Sequence, residues 1–236
     1  MSASADPIGE ALKDYLSGNL QAEILVESDR CDDDVIPVKW LTRSLNQMPD
    51  LEKRALELCR GTVLDIGAGA GCHALELAAQ GVHVSALDVS PGCIQYLEKK
   101  KIPAIQSNIW SYQDKQFDTL LLLMNGLGLA GTMDQLPSFL LHLKSLLKPG
   151  GSIICESTDL AYLFMDDDGS MLIDLNDRYY GEMKFNMRYN DHETGWFEWL
   201  YIDHENLTAC AEIAGFHTEI VFTGENMQYL ARLKIS

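Results

Sequence analysis

Apolar positions along this chain recur with two periods, and the switches between them mark its elements. Helical spacing predicts a short amphipathic helix over 8–16, ending near Gly18. It predicts a second helix after Asp50, read as its cap, carrying Leu51, Ala55, Leu56 and Leu58. Residues 1–60 are therefore expected to form a mostly helical N-terminal segment. Between its helices, Cys31-Asp32-Asp33-Asp34-Val35-Ile36-Pro37-Val38-Lys39-Trp40 runs acidic and then apolar. A solvated loop with an apolar anchor and a lid facing a substrate both fit that stretch.

From Thr62 strands and helices alternate. Strands are predicted at 62–65, 82–88, 104–107, 117–124 and 152–156. Between them fall a helix from Cys72 that closes at Gly81 and another capped by Ser90 with Pro91 at its first position. A third is opened by the capping box Thr132-Met133-Asp134-Gln135 and runs to Leu147. Lys148-Pro149-Gly150-Gly151 turns the chain into the strand that follows. Within 117–124, Leu120 to Met124 are apolar without a break, as a strand buried on both faces requires. This order predicts an α/β fold with a parallel, doubly wound sheet.

After Asp159 the period becomes two. Met183, Phe185, Met187 and Tyr189 alternate with polar residues, a turn follows at 190–195, and Phe197, Trp199 and Tyr201 alternate again. An antiparallel hairpin over or beside the main sheet is expected. Asp203 caps a last helix with Leu207, Cys210, Ala211 and Ala214, stopped by Gly215. Strands at 218–223 and 228–235 close the chain. The domain reading is a segment at 1–60, a possible lid, and a sheet domain at 61–236 with an insertion at about 159–203.

At 236 residues and 47% hydrophobic, the chain suits one α/β domain with a full core. Its formal net charge of -17 repels phosphate backbones, so nucleic acid and anionic membranes are poor partners. The start lacks a basic, then apolar, leader, and apolar runs such as Leu120 to Met124 are of core-strand length, too short to span a bilayer. A cytoplasmic location is expected. Cys31, Cys59, Cys72, Cys93, Cys155 and Cys210 lie far apart, which suits reduced thiols rather than a zinc site or disulfides.

The candidate chemistry centres on Asp65-Ile66-Gly67-Ala68-Gly69-Ala70-Gly71. Glycines let a strand turn sharply into a helix while the backbone approaches a ligand, and the helix start offers free N–H groups. Asp88, ending the next strand, can take both hydroxyls of a ribose. A dinucleotide fingerprint would put its third small residue at Cys72, whereas here a glycine falls one place early, at Gly71. Asp65 beside the turn is ill suited to a pyrophosphate and well suited to a cationic amino group.

With Ala86-Leu87-Asp88-Val89-Ser90, Phe117-Asp118-Thr119-Leu120-Leu121 and Leu146-Leu147-Lys148-Pro149-Gly150-Gly151, this turn resembles the ordered motifs of the class I S-adenosylmethionine-dependent methyltransferases. The resemblance covers residues 60–157 and resumes at 203–215. It implies a Rossmann-like, seven-stranded, mostly parallel sheet with an antiparallel last strand, plus the helical N-terminal segment and the inserted β-hairpin. It also implies S-adenosylmethionine as cofactor, S-adenosylhomocysteine as product and no metal. Carried over residue by residue, Gly67, Ala68 and Gly69 would line the methionine moiety with Asp65 at its amino group, in the turn that Gly71 completes. Asp88 would bind the ribose, and Val89 and Ile109 would flank the adenine. Asn108 would stand where the family often has an acid at the adenine amino group, and the Met124 carbonyl would face the methionine amine. Val89 and Ile109 as core residues, and Asn108 as a turn residue, remain alternatives.

Methyl transfer is mainly alignment of an acceptor lone pair with an activated methyl, so no catalytic triad is required. Met124-Asn125-Gly126-Leu127-Gly128 lacks the D/N-P-P-Y/F signature of amide- and base-modifying members, which favours a small-molecule acceptor, neutral or cationic. Candidate acceptor residues are Trp40, Arg43, Asn125, Glu156, Tyr179 and Trp196, with Asp32, Asp33, Asp34, Tyr180, Trp199 and His73 nearby possibilities. Asp166-Asp167-Asp168-Gly169 reads as a solvated loop. A catalytically silent cofactor-binding scaffold and an NAD(P)-dependent oxidoreductase are the alternatives, and monomer and homodimer both stand.

Overall fold

In the computed structural model, which describes residues 6–164 and 178–235, Asp6 caps the first helix, α1 (Pro7–Leu16), by accepting the Gly9 amide at 2.9 Å. The N-terminal segment then departs from a mostly helical expectation. It supplies two strands, β1 (Glu23–Ser28) and β2 (Asp34–Pro37), before a single turn, α2 (Val38–Leu41), and the helix α3 (Asp50–Leu58). Only Ile24 and Val26 of β1 are buried, but Ile24-Leu25-Val26 is contiguous in sequence and hides that alternation. Asp50 is the first residue inside α3 rather than its cap, which is Pro49.

The main sheet domain follows the alternation read from the sequence. It runs β3 (Thr62–Ile66), α4 (Cys72–Ala79), β4 (His83–Asp88), α5 (Pro91–Lys99), β5 (Ala104–Gln106), β6 (Phe117–Leu122), α6 (Leu136–Ser145) and β7 (Leu147–Thr158). No capping box opens α6, which begins at Leu136. Pro137 dictates this: a helix started at Met133 would hold that proline in its interior, where its ring breaks the hydrogen-bond ladder. Beyond β7 come β8 (Glu182–Tyr189), β9 (His192–Glu193), β10 (Phe197–Leu200), α7 (His204–Ile213), β11 (Phe216–Thr223) and β12 (Gln228–Ile235). The acidic run Asp166-Asp167-Asp168-Gly169 lies outside the described residues.

The seven strands of the main sheet lie in the order β11-β12-β7-β6-β3-β4-β5. β3 to β7 are parallel, and β12 runs antiparallel between β7 and β11. Alternate residues of one strand serve opposite cores. Leu120 packs with Phe139 and Leu143 of α6 and Leu207 of α7, while Leu121 packs with Ala55 of α3, Leu77 of α4 and Leu97 of α5. The chain order reverses between β3 and β6, which opens a crevice beyond their carboxyl ends.

The predicted hairpin exists, and it does more than lie beside the main sheet. β8 and β10 join the N-terminal strands in a second sheet, ordered β10-β8-β1-β2, with β9 paired to β8. A third core packs Ala11 and Leu12 of α1, Ile24 of β1 and Val38 of α2 against Ala70 of the glycine turn and Cys93 of α5. This core seats the second sheet over the crevice.

Candidate functional site

Gly67, Gly69 and Gly71 all have positive φ, at 70°, 54° and 74°. Gly67 and Ala68 donate their amides to the Leu87 carbonyl at 2.9 and 3.1 Å, which ties the turn to the end of β4. Gly69 faces open space and donates to Asp88 Oδ2 at 2.7 Å. Gly71 has a packing role instead. A Cβ there would stand 2.2 Å from Leu97 of α5, and Gly71 does not line the crevice above the turn.

Asp88 Oδ1 accepts the Ser90 amide at 2.8 Å. The carboxylate is buried, and burial raises its pKa against the N–H groups of Ser90 and Gly69. Val89, next in sequence, leaves its side chain 64% exposed. Asn108 acts as a turn residue, its Oδ1 accepting the Trp110 amide at 3.0 Å. Ile109 is buried in the core beside α6. Trp110, which sequence reading passed over, donates its indole N–H to the Leu129 carbonyl at 3.0 Å. A Cβ on Gly67 would lie 3.5 Å from Leu129, so this pair borders the turn.

The crevice over the turn is small, about 50 Å³, and is walled by Asp65, residues 66–70, Cys72, His73, Leu41, Leu123 and Met124. Asp65 is 2% exposed, and its Oδ2 has no hydrogen-bond partner. Burial pushes its pKa up to about 6, against the opposing charge of His73 and the Ala74 amide. A buried carboxylate oxygen without a donor is a place for a cation.

Beside it lies a buried cluster. Glu52 of α3 takes Arg43 Nε at 3.0 Å and Nη2 at 2.5 Å, and meets His73 Nε2 of α4 at 3.1 Å. Arg43 also donates to the Trp40 carbonyl. Burial opposes protonation of His73, but hydrogen bonds to Cys72 and Glu52 and the charge of Asp65 carry its pKa to about 10. The cluster joins the N-terminal segment to the glycine-turn helix. Glu52 was missed in the sequence, although its spacing to Ala55 and Leu56 puts it on the apolar face of α3.

A second cavity, of about 800 Å³, opens under the inner face of the second sheet. Trp40, Arg43, Asn125 and Glu156, proposed from sequence, line it, as do Asp32, Asp34 and Trp199. Tyr179 and Trp196 do not. The Tyr179 hydroxyl donates to Asp203 at 2.6 Å, and Trp196 is exposed ahead of β10. Tyr180 likewise turns its hydroxyl to Asp159 at 2.7 Å.

Met124 lines both the crevice and the cavity. Met124 and Asn125 are consecutive residues in the left-handed region, at φ 54° and 56°, a strained turn of the kind found at functional sites. The turn is held by Glu156 Oε2, which accepts the Met124 amide at 2.8 Å, and by Asn125 Oδ1, which accepts the Thr158 hydroxyl at 3.0 Å. Burial raises the pKa of Glu156 against its Met124 and Gln228 donors. No helix among the described residues is long and apolar enough to cross a membrane.

Residues 40–219 match the family model described as a methyltransferase domain. The chain is 32% identical over 105 residues to the cypemycin N-terminal methyltransferase of a Streptomyces species, 42% of this chain and 43% of that protein. It is 29% identical over 165 residues to the ubiquinone biosynthesis O-methyltransferase of Rickettsia conorii, 64% of this chain and 53% of that protein. The chain thus spans about half the length of the curated relatives it matches. Among solved structures, a SAM-dependent methyltransferase from Bacteroides fragilis in complex with S-adenosyl-L-homocysteine is similar over 100% of this chain and 97% of that one. The TM-score is 0.92 at 42% identity.

Proposed function

Because the chain belongs to the S-adenosylmethionine-dependent methyltransferases, we propose that it moves a methyl group from S-adenosylmethionine to a small molecule held beneath the second sheet. The observation that carries this reading is the meeting of the donor crevice and the acceptor cavity at Met124. One pocket has the polarity for an amino acid, and the other has the volume for a second substrate.

The residues present fit the donor. Asp65, with a buried oxygen lacking a partner, takes the methionine amino group, together with the Met124 carbonyl. Each Asp88 oxygen accepts one backbone N–H and keeps a lone pair for a ribose hydroxyl. Gly67, Ala68 and Gly69 form the wall along the methionine part. The exposed Val89 offers the adenine an apolar platform. The N-terminal segment acts as a cover, fastened where Asp6 Oδ2 accepts the Gly92 amide at 2.8 Å.

The bound sulfonium would supply an already activated methyl group. What this chain contributes is alignment, exclusion of water by the second sheet, and a polar wall at Asn125 and Glu156 for the acceptor. Melting curves test the reading. S-adenosylhomocysteine raises the melting temperature, Asp88→Ala removes most of that shift, and NAD causes none. A shift with NAD in place of S-adenosylhomocysteine would overturn it, as would one indifferent to Asp88→Ala.

A further inference from the structure

The names of the curated relatives point to different acceptors, so the acceptor class must come from the cavity itself. Its roof is one face of the second sheet. Cross-strand register brings Val26 beside Met187, Phe185 beside Phe197 and Met183 beside Trp199. Aromatic rings and thioethers make a dry, adaptable surface for an apolar body. The lining also includes Trp40, Tyr162 and Leu163, which are 57%, 44% and 45% exposed. Large apolar groups facing solvent along one opening suit an apolar guest.

The charges in the walls are unequal. Arg43 and the protonated His73 are balanced by Glu52, which bonds both, and by Asp65 beside His73, which leaves Asp32, Asp34 and Glu156 against Lys39 along the cavity. Glu156 is the buried one, at 2% exposure. Its donors are neutral, the Met124 amide at 2.8 Å and the Gln228 side-chain amide at 2.6 Å. Among the described residues no basic group forms an ion pair with it. It is a buried carboxylate on a cavity wall, hydrogen-bonded directly to the residue that the two pockets share.

We infer that the acceptor is an amine carried on an apolar body, with its nitrogen seated at Glu156, an inference that rests on the methyl-transfer reading above. Glu156 first binds the ammonium form and then takes one of its protons. The lone pair so freed forms the N–C bond as the carbon–sulfur bond breaks with its electrons left on sulfur. The positive charge ends on the methylated nitrogen. Glu156 is thus both the anchor and the proton acceptor.

Three probes of matched shape test this: 4-phenylbutylamine, 4-phenylbutanol and 4-phenylbutyrate, titrated calorimetrically into the full chain with and without S-adenosylhomocysteine. The amine is expected to bind at least about tenfold more tightly than the alcohol, with the acid weakest. Glu156→Gln, which can still accept the Met124 amide, should erase the preference for the amine and leave the S-adenosylhomocysteine melting shift in place. Equal binding of the three, tighter binding of the acid, no binding of the amine, or a preference surviving in Glu156→Gln would overturn the inference. The wild-type titrations stand even if the variant misfolds. Failure of S-adenosylhomocysteine to bind would instead sink the methyl-transfer reading, and the ranking of the three probes would remain readable.

Discussion

In the proposed reading, the needs of folding and of function oppose each other at Asp65. Its folded pKa, about 6, lies above the ordinary range of an aspartate, so the folded state bears no penalty at low pH, and the penalty grows as pH rises to about 6 and then levels off. Asp65→Asn should therefore stabilise the unliganded protein at pH 8 by about 2 kcal/mol, while abolishing the melting shift with S-adenosylhomocysteine. In the wild type, affinity for that ligand should fall about tenfold per unit as pH drops below 6, because protonation removes the charge that its amino group meets. Titrations between pH 4.5 and 8 check this, and a flat profile would refute it. Asp65, Asp88 and the glycines were legible because close backbone approach demands particular residue types at particular spacings. Glu52 was not, since its importance depends on Arg43 and His73, which only the fold brings to it. Trp196 is instructive: alternation of Phe197, Trp199 and Tyr201 puts it on the opposite face, and sequence reading chose it for its chemistry rather than its phase.

Between elements, a close backbone contact joins α1 to α5. A Cβ on Gly92 would stand 2.5 Å from the Gly9 Cα, so the two helices approach through paired glycines. Gly92→Ala should cost about 1–3 kcal/mol in chemical denaturation, as overpacking does. It should also weaken S-adenosylhomocysteine several-fold, because α1 packs on Ala70 of the glycine turn. Faster amide exchange confined to α1 would mark the cause, and unchanged exchange would contradict the clamp. The central strands and helices could be read from their period because each is locally determined. The second sheet could not. β1 and β2 are short, and β8 meets β1 only through tertiary pairing, so nothing local records the partnership.

For the molecule as a whole, a formal net charge of -17 on 236 residues means self-repulsion in the folded state. Raising sodium chloride from 10 to 200 mM should lift the melting temperature by several degrees, with most of the gain below 100 mM, where screening changes fastest. A melting point insensitive to salt would show the charges to be locally compensated. The placing of β1 between β2 and β8 has a different consequence, one of timing. Ser28 ends β1 and Glu182 begins β8, 154 positions later (182 − 28). At roughly 5–20 residues per second of synthesis, the β1–β2 hairpin waits about 8–30 s on the ribosome for its neighbour. The nascent chain thus completes its glycine turn while the larger cavity is still missing a wall, and Ile24 and Val26 are the apolar residues a chaperone would meet in the interval.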